Sequence, residues 1–155
     1  MTVDVKAKLA ELGLELPEAA LPVAAYIPAV RTGNLVFTAG QLPLVQGAIP
    51  YVGKVDGGVT PEQAKEMAQV CILNAIAAVG LVADINKIER IVQVRGFVNG
   101  VSGFVGHPGV VNGASELLIH IWGDANGKHA RSAIGVAELP LNAPVEIELT
   151  VELED

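Results

Sequence analysis

The chain has 155 residues, 51% of them hydrophobic but only 4% aromatic, and its 10 Lys and Arg face 17 Asp and Glu for a formal net charge of -7. That length suits one domain spanning residues 1–155, with a core of Val, Ile, Leu and Ala. The acidic balance and the scattering of basic residues speak against a nucleic-acid partner, which needs a concentrated positive footprint. Cys71 is the sole cysteine, so an internal disulfide and paired-cysteine metal motifs are excluded.

A mean hydropathy of +0.47 is high for a small protein. Some apolar surface is therefore expected in an interface with further copies of the chain. The longest apolar run, Val70 to Ala83, is interrupted by Asn74 and Gly80 and is too short to span a bilayer. The polar start, Met1 to Lys6, lacks a signal-peptide core, so cytoplasmic residence and no membrane partner are expected.

Val5, Leu9 and Leu12 predict a short amphipathic helix stopped at Gly13, followed by a connector over 14–24. Tyr26 to Thr32 and Leu35 to Ala39 read as a β-hairpin around Gly33-Asn34, with Gly40-Gln41-Leu42-Pro43 ending the second strand. Residues 44–59 are rich in Gly and Pro and read as a long exposed loop. Thr60-Pro61-Glu62-Gln63 then carries a capping box with proline at the first helical position. Ala64, Met67, Ala68, Cys71, Ala75, Ala78 and Val79 form the buried stripe of that helix, which Gly80 ends.

Ile88 to Asn99 reads as a strand, Gly100 to Gly106 as a loop, and Pro108 to Trp122 as a second main helix. After a turn over Gly123 to Lys128, a strand over 130–138 and a strand from Val145 are expected to form a terminal hairpin, connected by Pro140 to Pro144. The order ββ-α-β-α-ββ behind an N-terminal helix implies an α+β domain: a mixed sheet with two helices on one face. Alternation puts Val145, Ile147, Leu149 and Val151 toward those helices and leaves the other face for a partner subunit or a ligand.

On the 130–138 strand, Arg131 shares its face with Ala133, Gly135 and Ala137, and on the last strand Glu146, Glu148 and Thr150 share one. Two readings follow. Arg131 and a glutamate form an exposed cross-strand pair of less than about 1 kcal/mol. Alternatively the guanidinium is a two-pronged anchor for a carboxylate, with a glutamate nearby to handle water.

The segment Ala130-Arg131-Ser132, with Val136-Ala137, Leu139-Pro140 and Val145-Glu146-Ile147-Glu148, resembles the C-terminal signature of the Rid (reactive intermediate deaminase, YjgF-type) family, also labelled endoribonuclease L-PSP. Tyr26 and the run Gly33 to Pro43 resemble its first hairpin and Gly-Gln loop, and the match covers about residues 25–152. The resemblance implies a chorismate-mutase-like fold, assembled as a homotrimer with sites in the clefts between subunits. It implies hydrolysis of 2-imino acids or enamines to 2-keto acids and ammonia, with no cofactor and no metal. Arg131 would hold the substrate carboxylate and Glu146 would position or activate water. Tyr26 and Asn112 would line the cleft, and the Gly40-Gln41 backbone would approach the ligand. The sequence departs from the family pattern at three positions. Ala133 replaces a common cysteine, Ala39 a common serine, and His129 a common proline, so these three also belong to the expected binding set.

Of the other polar residues, His107 reads as a loop residue, His120 as an edge residue of its helix, Cys71 as core, and Asp84, Asn86 and Lys87 as a solvated turn. No His/Asp/Glu spacing fits a metal-ligand set. Besides deamination, the cleft could serve a non-catalytic carboxylate-binding or metabolite-sensing protein, a reading that Ala39 and Ala133 favour. An endoribonuclease or translation inhibitor is the third reading, which the acidic charge opposes.

Overall fold

A computed structural model describes residues 2–22 and 24–155; Met1 and Val23, the latter within the expected connector, lie outside the described residues. Helix α1 spans Val5–Ala10, and its N-cap Asp4 accepts the Ala7 amide. Strands β1 (Ala29–Thr32) and β2 (Leu35–Thr38) form the expected hairpin. Gly33 at its turn has φ +59°, a conformation that glycine adopts without steric cost. Both strands are shorter than the sequence pattern suggests, and Tyr26 lies outside β1 in an exposed bend.

The 44–59 segment is only partly the exposed loop expected. Its second half forms a two-stranded ribbon, β3 (Lys54–Val55) and β4 (Gly58–Val59), with Val55 and Val59 buried in the core. Helix α2 (Pro61–Val79) opens on the anticipated capping box, in which Thr60 accepts the Gln63 amide and the Gln63 side chain accepts the Thr60 amide. Helix α3 (His107–Gly127) follows strand β5 (Ile88–Val98). It runs past the expected end at Trp122 and is interrupted at Gly123. Strands β6 (Ala130–Gly135) and β7 (Val145–Leu153) complete the chain.

One sheet has the order β1-β2-β7-β5-β6. The terminal hairpin expected from the sequence does not form: β6 pairs parallel to β5, and β7 lies antiparallel on the other side of β5. Buried Asn99, just past β5, explains the difference. Its side-chain amide donates to the Ala143 carbonyl and the Asn142 side chain, and its backbone N–H donates to the Pro144 carbonyl. These bonds start β7 beside Val98, while the Val136 amide closes β6 on the Val98 carbonyl from the opposite side.

Both main helices pack on one face, over Val145, Ile147, Leu149 and Val151 of β7 and Ile91, Val94 and Val98 of β5. Approach is close at two glycines. A Cβ on Gly96 of β5 would lie 2.3 Å from Val111 of α3, and one on Gly113 of α3 would lie 2.0 Å from the Lys65 carbonyl oxygen of α2. The opposite face carries exposed Val30, Phe37 and Ile134 beside the Arg95–Glu148 ion pair.

In an open helix interior, Gly→Ala gains up to about 1 kcal/mol. At Gly113 the added methyl meets backbone, so Gly113→Ala should instead lose about 1–3 kcal/mol. Urea unfolding monitored by circular dichroism checks the sign.

Candidate active site

Arg131 lies at register with Val94 of β5, which itself pairs with Leu149 of β7. Residues paired across a sheet share a face, so Arg131 points to the helix-covered side. There its Nη1 donates to Asn112 Oδ1 at 2.7 Å and to Ser115 Oγ at 3.2 Å, and its Nη2 leans toward the Pro108 carbonyl at 3.5 Å. All three acceptors belong to α3, which the β5–α3–β6 crossover lays along the edge strand. The exposed Arg–Glu cross-strand pair does not exist: among the described residues Arg131 has no carboxylate partner.

His129, just before β6, joins the cluster through a residue that sequence reasoning missed. Its Nδ1 donates to the Gly127 carbonyl at 2.6 Å, and its Nε2 lies 2.9 Å from the hydroxyl of Ser115. Ser115 is buried on α3, one turn beyond Asn112. The i, i+3 spacing of Asn112 and Ser115 is the signal that could have found it. Ala133 also shares the Arg131 face, at register with Gly96, and packs against the core. Burial pushes the His129 imidazole below its ordinary 6.5; the Gly127 hydrogen bond opposes this, and the nearby Arg131 charge adds to it.

Glu146 pairs with Phe97 of β5, which pairs with Ile134 of β6, and so lies on the open face. The structure therefore corrects the expectation of a glutamate across a hairpin from Arg131: the two residues occupy opposite faces of the sheet. The neighbour of Glu146 is Gly40, where a Cβ would sit 2.7 Å from Oε1. The close approach expected at this glycine is to the carboxylate itself. Gln41 makes a two-way backbone bridge to Ile147, which holds the loop over the strand, and the Gln41 side chain donates to the Ala39 carbonyl. Burial lifts the Glu146 carboxyl above the ordinary glutamate range, with the Glu148 charge adding to the shift. Among the described residues, Glu146 has neither a hydrogen-bond donor nor a cation.

The expected site residues thus fall into two groups. Arg131, Asn112, His129 and Ala133 gather between β6 and α3; Ala39, Gly40, Gln41 and Glu146 gather where β2 leaves β7. Tyr26 is 56% exposed and joins neither group through a hydrogen bond. Of the remaining histidines, His120 clamps α1 through the Lys8 carbonyl and Glu11, and His107 stacks edge-on against Phe104. Among the described residues there is no group of three or more His, Cys, Asp or Glu able to hold a metal ion, and no helix long and apolar enough to cross a membrane.

A family model described as "YjgF/chorismate mutase-like, putative endoribonuclease" matches residues 6–153. The chain belongs to the YjgF family. Like the relatives that follow, this YjgF-family chain is matched over nearly its whole length. It is 34% identical over 152 residues to Protein TCP17 of Trypanosoma cruzi, covering 97% of this chain and 95% of that protein. It is 31% identical over 141 residues to a 2-iminobutanoate/2-iminopropanoate deaminase of Dermatophagoides farinae, covering 91% and 95%. A crystal structure of a protein of unknown function from Agrobacterium tumefaciens superposes with a TM-score of 0.87 at 40% identity, covering 97% of this chain and 94% of that one. The YjgF/chorismate-mutase-like fold expected from the sequence is the fold observed.

The His129 shift sets a pH dependence. An imidazole held below its ordinary value takes up a proton in the unfolded chain first, so folding loses stability as pH falls through 6.5 and regains it as pH rises. The Glu146 shift acts in the opposite sense, adding stability as pH falls. Comparing His129→Gln with the parent cancels it. Melting temperatures measured from roughly pH 7.5 to pH 5 should fall less steeply in the variant, which lacks the titrating ring.

Proposed function

We propose that this protein hydrolyses 2-imino acids or their enamine tautomers to 2-keto acids and ammonia, in clefts built where two copies of the chain meet within a homotrimer. The observation that carries this reading is a pair of unfinished halves. Arg131 is a guanidinium without a counter-anion, and Glu146 is a half-buried carboxylate without a cation, on opposite faces of one sheet. One chain cannot join them, whereas a second copy can bring its Glu146 to the first copy's Arg131. The apolar residues on the open face, Phe37, Val30 and Ile134, supply surface for such an assembly.

In the cleft Arg131 binds the substrate carboxylate bidentately. An iminium carbon is already electrophilic, so orientation and one proton relay suffice. Glu146 takes a proton from water as its oxygen attacks that carbon, giving a carbinolamine. The same carboxyl returns that proton to nitrogen, then takes the hydroxyl proton as the carbonyl forms and ammonia leaves. A carboxyl whose proton affinity is raised by burial is a stronger base for the first step and keeps its proton for the second. Gly40 matters because any side chain there would displace the carboxylate. Tyr26 and Gln41 line the Glu146 side of the cleft, and Asn112 the Arg131 side.

A second reading, carboxylate binding without turnover, is favoured by Ala39 and Ala133, which offer no hydroxyl or thiol to a ligand. A short 2-keto acid would then raise the melting temperature with no catalysis.

An amino-acid oxidase generating 2-iminobutanoate in place, with keto-acid release followed, tests the proposal. The protein should accelerate release. Arg131→Ala should abolish saturation, and Glu146→Gln should lower kcat by roughly 10²-fold or more. Co-refolding these two variants should restore part of the activity, because a mixed cleft can hold one intact Arg131 and one intact Glu146. No acceleration by the parent protein, or full activity in Arg131→Ala, sinks the reading.

A further inference from the structure

Three hydrogen bonds run from the Gly127 carbonyl to Arg131, and their direction is fixed by chemistry. A carbonyl only accepts, so His129 Nδ1 carries the hydrogen in the 2.6 Å bond to Gly127. The neutral ring then has its lone pair on Nε2. Ser115 has one hydroxyl hydrogen, which goes to that lone pair across 2.9 Å. The Ser115 oxygen is left with lone pairs alone for Arg131, whose Nη1 donates to it at 3.2 Å. Burial of His129, which disfavours the charged ring, keeps this order intact near neutral pH.

The consequence lies in which donors of Arg131 remain. A guanidinium has five N–H groups. Both hydrogens of Nη1 are taken, one by Ser115 and one by Asn112 Oδ1 at 2.7 Å, and Nη2 makes one long contact with Pro108. Among the described residues nothing takes the Nε hydrogen, and the one long Pro108 contact can occupy only one of the two hydrogens on the neighbouring Nη2. Nε and Nη2 form one edge of the guanidinium, the edge able to grip both oxygens of a carboxylate. We infer that Ser115 and His129 are positioning residues that turn Arg131 so that its Nε–Nη2 edge, and no other, meets the substrate carboxylate.

The same three groups do not make a nucleophile and base. Ser115 is buried, and its oxygen is capped by the guanidinium, so no substrate carbon can reach it. Nor do they repeat the role of Asn112, which holds only one of the two Nη1 hydrogens. With Ser115 gone, the guanidinium keeps one short bond, to Asn112, and the long Pro108 contact, and can rotate about them to present its Nη1–Nη2 end instead.

This inference deepens the proposed function and rests on Arg131 being the carboxylate anchor. The test is calorimetric titration of the intact protein with 2-ketobutyrate, for the parent and for Arg131→Ala, Ser115→Ala, Ser115→Thr, His129→Leu and His129→Gln. Ser115→Ala and His129→Leu should each weaken binding roughly ten-fold, the equivalent of one charge-assisted hydrogen bond. Ser115→Thr keeps the hydroxyl and His129→Gln keeps an acceptor, so both should recover most of the affinity. Parent-like binding by Ser115→Ala and His129→Leu, with Arg131→Ala inactive in binding, overturns the inference and leaves the anchor standing. A loss that the Thr and Gln variants fail to restore marks a packing role and overturns it too. No binding by the parent, or equal binding by Arg131→Ala, removes the anchor itself. If Ser115→Ala does not fold, His129→Leu and His129→Gln decide alone.

Discussion

The strict two-residue alternation of β7 is the constraint on which the rest of the molecule depends. Val145, Ile147, Leu149, Val151 and Leu153 are all buried on one side, and the intervening residues, three glutamates and a threonine, are not. A slip of one residue would exchange the two sets and put Glu146, Glu148, Thr150 and Glu152 beneath the helices. The register is held from both flanks. On one side β5 pairs with nearly the whole strand; on the other the β2 ladder ends where the Thr38 hydroxyl accepts the Leu149 amide. Beyond that break the Gln41–Ile147 bridge resumes the pairing, and this places Gly40 over Glu146. The irregularity at Thr38 to Gly40 is therefore what brings a backbone without a side chain to the Glu146 carboxylate.

That alternation also separates the two charges that define the candidate site. Sharing a sheet while facing opposite ways, Arg131 and Glu146 are prevented from neutralising each other in one chain. Had the terminal strands formed a hairpin with both groups on one face, they would have made an ion pair of little energetic value and no chemistry. Each is instead kept available, Arg131 by acceptors on α3 that carry no full charge, Glu146 by a bare glycine. Neutral acceptors hold a guanidinium in place without cancelling its attraction for a carboxylate, which is what a binding residue requires.

Much of this was legible in the sequence, because local rules decided it. The capping box at Thr60, the Gly33-Asn34 turn, the buried stripe of α2 and the two faces of β7 follow from residue types at short spacing. The pairing of β6 did not. Two apolar segments joined by a proline-containing connection read as a hairpin, and what prevents one is the buried side chain of Asn99, over forty residues away in sequence from Asn142 and Ala143. The residues named for the site were recognisable by pattern, but which of them meet depended on strand order. Ser115 escaped notice for a related reason: a serine within an apolar helix face has no signature until the strand opposite it is known.

The departures from the family pattern take on a common direction in this geometry. Ala39 and Ala133 offer no polar side-chain atoms at positions that border the proposed cleft, while His129, through its contact with Ser115, places polar atoms behind the guanidinium. In the proposed cleft, polarity thus lies behind the guanidinium rather than beside the ligand. Fewer direct contacts would by themselves weaken binding, but a side chain already held in its bound orientation loses less conformational freedom when the ligand arrives. An arginine ordered by acceptors on α3 and backed by a half-buried histidine can thus compensate for a less polar cleft. On the proposed reading, a guanidinium so held asks little of a ligand beyond its carboxylate.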